Sequence, residues 1–181
     1  MEHVLVATTN TILTLYPRDA FPEAGGNPIG AGGSGLNSMV PVGLGGGLGF
    51  NAQTAAGAVW YARLPATAAL ATGASFALLV ADDTNNPGPG LIARFGISVK
   101  KLTSGTDSLN TTGFGTEATV DLTLPATPGI VLIGAAAILV AAMDGAAASD
   151  WVMIRVRRLG TAVQDTHRGR VVLLGVDVRD T

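Results

Sequence analysis

The sequence predicts an all-β protein: a jelly-roll-like antiparallel β-sandwich with an extended Gly-rich N-terminal arm. Three observations carry that reading. From Trp151 to Arg158 the residues alternate, with Val152, Ile154 and Val156 on one side and Met153, Arg155 and Arg157 on the other. That is the pattern of a half-buried strand. Val171 to Arg179 alternates again, with Val172, Leu174, Val176 and Val178 as the expected buried row and Asp177 and Arg179 opposite. Upstream, apolar β-prone runs recur at short intervals, each stopped by Pro, Gly, Asn or Asp. The seven aliphatic side chains of the two late strands would share one interior, at roughly 1.5–3 kcal/mol for each one fully buried.

Taken in order, residues 4 to 16 are β-prone, with Val4, Leu5, Val6, Ile12, Leu13 and Leu15 around a Thr/Asn turn, and Pro17 ends the run. Between Gly25 and Gly49 there are eleven glycines together with Pro28 and Pro41. Such a segment has too much backbone freedom and too little side chain for a core of its own. Its apolar residues Ile29, Leu36, Met39, Val40, Val42, Leu44 and Leu48 exceed what a solvated linker requires. Residues 1–53 are therefore expected to be an extended strand and arm, ordered by lying on neighbouring subunits through those seven side chains. The sandwich is expected to occupy residues 54–181.

Within it, Val59 to Leu64 reads as a strand stopped by Pro65, and Phe76 to Ala81 as one stopped by the Asp82 to Gly90 turn cluster. Leu91 to Leu102 and the alternating Ala118 to Leu124 follow, separated by the polar run Thr103 to Gly115. Ala135 to Ala141 is expected as a fifth strand, although its alanines also permit a helix, and Ala142 to Ser149 as a short helical turn. With the two late strands there are seven, and one from the N-terminal region makes eight, as in a double-sheet jelly roll. The last two would face each other from opposite sheets, joined by the polar connection Leu159 to Arg170.

Composition narrows the function classes. Charged residues make up 13% of the 181, against about 25% in an ordinary soluble domain. A surface so sparsely charged suits either a membrane or burial against other subunits. The most apolar run, Ile130 to Met143, is 14 residues bounded by prolines and Asp144. A spanning helix needs about 20, so no membrane partner is expected. The net charge is −2 with the basic residues scattered, which argues against nucleic acid. The sequence-local cluster Arg155, Arg157, Arg158, Arg168 and Arg170 reads as a solvated face and loop paired with nearby Asp residues. There is no Cys, hence no disulfide or thiolate metal site. The first residues lack a basic n-region and an unbroken apolar stretch, so no secretory signal is expected and the mature chain should start near residue 1.

Each motif that hints at chemistry has a plainer explanation. Gly30, Gly32 and Gly35 satisfy G-x-G-x-x-G, but the sequel Leu36-Asn37-Ser38-Met39-Val40-Pro41 does not open a helix, as a dinucleotide site requires. His167 near Asp165 suggests a base held by a carboxylate, yet no Ser sits in a nucleophile elbow, and a loop histidine is the simpler reading. Asp82, Asp83, Asn85 and Asn86 offer oxygens to Ca2+, but a turn needs the same residues for its own backbone, and EF-hand spacing is absent. No metal or cofactor is expected. Asn110-Thr111-Thr112 is a sequon by pattern only. Trp60 and Trp151 sit at strand positions, where packing in the core or at an interface outweighs stacking on sugar.

From Val59 onward the chain resembles tailed-bacteriophage virion proteins with a β-sandwich domain, among them head decoration (cement) proteins and tail appendages. The matching marks are Tyr61-Ala62-Arg63-Leu64-Pro65-Ala66-Thr67, Phe114-Gly115-Thr116-Glu117, Pro125-Ala126-Thr127-Pro128-Gly129, Met143-Asp144, Arg155-Val156-Arg157-Arg158, Asp165-Thr166 and Leu173-Leu174-Gly175-Val176. They are scaffold marks, and no catalytic residue comes with them. The resemblance implies a non-enzymatic structural protein of a phage head. Its partners would be the major capsid protein and copies of itself; because symmetry favours small cyclic oligomers, a homotrimer is expected. Its place would be the capsid surface, after assembly in the host cytoplasm. The alternative it implies is a tail or fibre appendage binding a host-surface glycan.

Overall fold

A computed structural model describes residues 10–22, 38–42, 45–52, 57–83, 90–107 and 113–181. Among them the chain is a sandwich of two antiparallel sheets, with two short 3₁₀ turns at Pro17–Asp19 and Val140–Met143 and no α-helix. The strands are β1 (Thr11–Leu15), β2 (Phe21–Pro22), β3 (Ser38–Val42), β4 (Gly45–Asn51), β5 (Gly57–Arg63) and β6 (Gly73–Asp82). They continue with β7 (Ile92–Leu102), β8 (Ala118–Thr123), β9 (Val131–Leu139), β10 (Trp151–Arg158) and β11 (Arg170–Asp180). A six-stranded sheet runs β3-β4-β11-β6-β9, with β1 beside β11, and a five-stranded sheet runs β2-β5-β10-β7-β8.

Period-two alternation builds the core. Ala74, Phe76, Leu78 and Val80 of β6 point inward, as do Ala93, Phe95, Ile97 and Val99 of β7 and Val152, Ile154 and Val156 of β10, all buried. Phe50 meets Phe95 edge to face at 5.6 Å between ring centres, joining the two sheets. As the alternation predicts, β10 and β11 lie in opposite sheets, and the connection between them crosses from one to the other.

Two expectations are corrected. Val172, Val176 and Val178 of β11 are buried as expected, but the row that enters the core cluster is not Val172, Leu174, Val176 and Val178. A register shift between Leu173 and Gly175 puts Val171 and Leu173 into the core with Val176 and Val178, while Leu174 turns to the outer face beside Leu79 and Ile133. A β-bulge adds a residue and so inverts the alternation on one side of it. Next, residues 10–22, 38–42 and 45–52, placed within an arm by their composition, supply β1 to β4, and Leu15, Leu48 and Phe50 belong to the core. Leu48 is fully buried and pairs with Leu173, so it is not a surface contact. The alanine-rich segment is a strand, as expected, with its bounds moved from residues 135–141 to Val131–Leu139: pairing of β9 with β6 over that length outweighs the helix preference of alanine.

Candidate functional site

The outer face of the five-stranded sheet collects the exposed aromatic residues. On β5, Trp60 faces the core, so Val59, Tyr61 and Arg63 face out. On β10 the outward row is Trp151, Met153, Arg155 and Arg157. The register aligns them: Trp151 is opposite Arg63, Met153 opposite Tyr61, and Arg155 opposite Val59. On the far side of β5, Phe21 pairs with Val59 and packs edge to face on Tyr61, 5.6 Å between centroids. Trp151, Phe21 and Tyr61 are 54%, 56% and 42% exposed, more than packing in a closed core allows. Trp60 donates its indole N–H to the Tyr16 carbonyl at 2.8 Å, which holds the segment after β1 against this edge. A groove of about 370 Å³ results, lined by Tyr16, Asp19, Tyr61, Arg63 and Trp151 among others.

The charges flanking this strip are paired. Glu117 accepts two hydrogen bonds from Arg157, at 2.6 and 3.0 Å, and one from Arg155 at 3.4 Å. Arg155 also donates to the Ser98 hydroxyl, and its guanidinium lies 4.4 Å from the centre of the Phe114 ring. Gly96 makes room for this arrangement, since a Cβ there would lie 2.4 Å from the Glu117 carboxyl carbon. Lys100 is bound by Asp144 at 2.7 Å and Asp107 at 3.6 Å. Its hydrogen bond to Asp144 holds the ammonium above the usual lysine range. Asp150 is held below the usual carboxylate range by its hydrogen bond from Lys101, then by that from the Ala147 backbone. Arg94 and Asp121 form a two-point pair at 2.6 and 2.9 Å. What remains for a ligand is aromatic surface with satisfied charges beside it, suited to stacking on the apolar face of an uncharged ring.

A second polar cluster lies inside one end of the sandwich. Arg158, fully buried, forms a two-point pair with Asp165 at 2.9 and 2.8 Å. It also donates to the carbonyls of Phe50 and Gly169, at 3.1 and 2.6 Å, and of His167. His167 is likewise buried, with Nε2 3.0 Å from Asp82 Oδ1 and Nδ1 3.3 Å from Arg158 Nη2. Because an arginine only donates, Nδ1 is the acceptor and Nε2 carries the proton given to Asp82. Burial pushes the imidazole below the ordinary histidine range, and the Arg158 charge adds to that against the opposing pull of Asp82. Asp83, buried too, is bound by Arg170.

The sequence-derived candidates fall out unevenly. Ile29, Leu36 and Leu44 lie outside the described residues, as do Asn85, Asn86, the sequon and the Gly30 to Gly35 motif. Met39, Val40 and Val42 lie on edge strand β3, opposite Leu48, Gly47 and Gly45. Asp82 and Asp83 are engaged by His167 and Arg170, and no group of three or more His, Cys, Asp or Glu among the described residues is placed to hold a metal ion. Trp60 is core and Trp151 is exposed. Tyr16, Phe21 and Tyr61 were not anticipated as a group. Tyr61 is readable as the outward neighbour of Trp60, but Phe21 joins it only through the β2–β5 pairing.

The architecture is that of a jelly-roll β-sandwich. No protein-family model matches the chain, and no curated protein does. Solved structures similar in fold include a xylan-binding module (CBM15), with a TM-score of 0.51 at 15% identity, covering 95% of this chain and 98% of that one. The N-terminal CBM22 tandem of Xyn10C from Paenibacillus barcinonensis gives 0.53 at 10%, over 99% of this chain. An exo-β-1,3-galactanase from Phanerochaete chrysosporium gives 0.51 at 10%, over 95%. This chain spans 52% of the tandem and 29% of the galactanase. At such identities the likeness establishes a shared fold.

Proposed function

We propose that the chain is a carbohydrate-binding β-sandwich module whose ligand is an uncharged oligosaccharide, held along the strip from Trp151 through Tyr61 to Phe21. The carrying observation is that three half-exposed rings share one sheet face next to a groove, where Glu117, Arg155 and Arg157 of that face are paired among themselves and Asp19 and Arg63 line the groove. Stacking on sugar would use the rings, and Asp19 and Arg63 at the groove would serve its hydroxyls. Fold likeness to modules named for carbohydrate binding supports the reading. In the setting implied by the virion resemblance, the module would belong to a tail or fibre appendage facing a host glycan.

A glycan array followed by affinity electrophoresis on the best neutral polysaccharide tests this. Trp151→Ala should weaken binding at least about tenfold, roughly 1.4 kcal/mol, with the fold unchanged by circular dichroism. Absence of binding across the array, or binding indifferent to both Trp151→Ala and Tyr61→Ala, overturns it.

The capsid-cement reading is kept as the second, because the other sheet presents exposed aliphatic side chains on β9, Val131, Ile133 and Leu139, that a shell contact would use. Copy number per virion against the major coat protein separates the two: a ratio of similar order supports cement, a far lower one the appendage. Deleting residues 1–50 is unsuitable as a test, since it would remove β1 to β3 and most of β4.

A further inference from the structure

The free edge of the six-stranded sheet carries a second surface. Strand β9 pairs with β6 on one side and with no strand on the other among the described residues. Its outward row is Val131, Ile133, Ala135, Ala137 and Leu139, all exposed, with Val131 at 49%, Ile133 at 59% and Leu139 at 70%. Open edges are usually protected by charge, proline or bulges. Among the other edge strands, β2, β3 and β8 have such protection in Pro22, Pro41 and Asp121, and β1, without charge or proline, is only five residues long. From Ile130 to Met143 there is neither charge nor proline.

The sequence of β9 is also matched to itself. Read as Val-Leu-Ile-Gly-Ala-Ala-Ala-Ile-Leu, it is close to a palindrome in side-chain size about Ala135. Laid antiparallel on a second β9 with the two-fold axis at Ala135, Val131 falls opposite Leu139, Leu132 opposite Ile138, Ile133 opposite Ala137 and Gly134 opposite Ala136. Every position meets an apolar partner, three of the four pairs are close in size while Ile133 meets the smaller Ala137, and the small residues gather towards the centre. A two-fold contact requires this property, since each residue and its mate exchange roles. An unrelated partner strand would not require it.

We propose that two copies of this chain associate through β9, joining their six-stranded sheets into one continuous sheet with Ala135 on the two-fold axis. Paired side chains then lie about 4.5–5.5 Å apart across the junction, covering part of the exposed row. The closed unit holds two copies, in place of the three expected from symmetry alone. It leaves the aromatic strip, on the other sheet, free in both.

The absence of cysteine permits a direct test. Ala135→Cys puts the only thiol on the axis, where the Cα separation of about 4.5–5.5 Å is within disulfide reach. Leu139→Cys is the control: Leu139 is 70% exposed, and with the axis at Ala135 its two copies would lie eight residues apart along the joined strands, roughly 27 Å, beyond bridging. Wild-type protein should sediment as a pair of 18.2 kDa chains, and Ala135→Cys should oxidise to a covalent pair where Leu139→Cys does not. Ile133→Lys, at an exposed position, should sediment as a single chain with an unchanged circular dichroism spectrum. A single-chain wild type, a pair in which both cysteine variants crosslink equally or not at all, or a pair that survives Ile133→Lys overturns the proposal.

Discussion

At the scale of single residues, Arg158 shows how a charge becomes tolerable inside a sandwich. An isolated buried guanidinium would cost several kcal/mol. Here Asp165 neutralises it and three backbone carbonyls take its remaining donors. Its neighbour His167 imposes a pH dependence whose sign follows from the direction of its shift. The folded protein holds the imidazole neutral below its ordinary value of about 6.5, so in that window the unfolded chain binds more protons. The stabilisation is whole above about 6.5 and is lost as pH falls from there through the lowered folded value. Denaturant midpoints at pH 7.5 and 5.5 should differ in the wild type, lower at 5.5, and the difference should shrink in His167→Asn. An equal difference in both would place its origin elsewhere. The outward and inward sides of β10 were legible in the sequence as far as Arg157. That Arg158 continues the inward row was not, because an arginine at the end of an alternating strand ordinarily reaches water.

At the scale of elements, strand existence was readable and strand partnership was not. Alternation located β8, β10 and β11, and β-prone runs ended by turn residues located β5, β6, β7 and β9, since both signals are local. The bulge in β11 was hidden in an unbroken aliphatic run, where either alternate set looks buried. The glycine-rich strand β4 was hidden differently: with few side chains it has no pattern, and its place comes from its backbone pairing with β11, with β3 added on its other side. The candidate site divided in the same way, Trp151 being visible in its strand and Phe21 dependent on pairing. The connection from β10 to β11 makes a testable demand. A Cβ at Gly160 would lie 1.9 Å from the Ala52 carbonyl oxygen, a backbone atom that cannot swing aside. Gly160→Ala should lower stability by about 1–3 kcal/mol, read as a reduced urea midpoint at constant slope. An unchanged midpoint would mean that the turn after β10 relaxes freely.

At the scale of the whole molecule, the two outer faces differ in kind. One is aromatic with its charges paired, the other aliphatic with an unprotected edge, so a ligand and a second subunit need not compete. Because the charges beside the aromatic strip already have partners, glycan affinity should change less than about twofold between 50 and 500 mM NaCl, across which free charges would be strongly screened. A steep fall with salt would point to an acidic ligand. The position of β11 carries a further consequence, for synthesis. It is the strand to which β1, β4 and β6 all pair, and it follows them all in the chain. While residues 170–180 remain in the ribosomal tunnel, those strands have no common neighbour, and the nascent chain carries a half-built sheet with open edges. The five-stranded sheet, complete once β10 has emerged, should therefore form first. The aliphatic strands β6 and β9 then wait, with an edge open, until residues 159–180 have emerged.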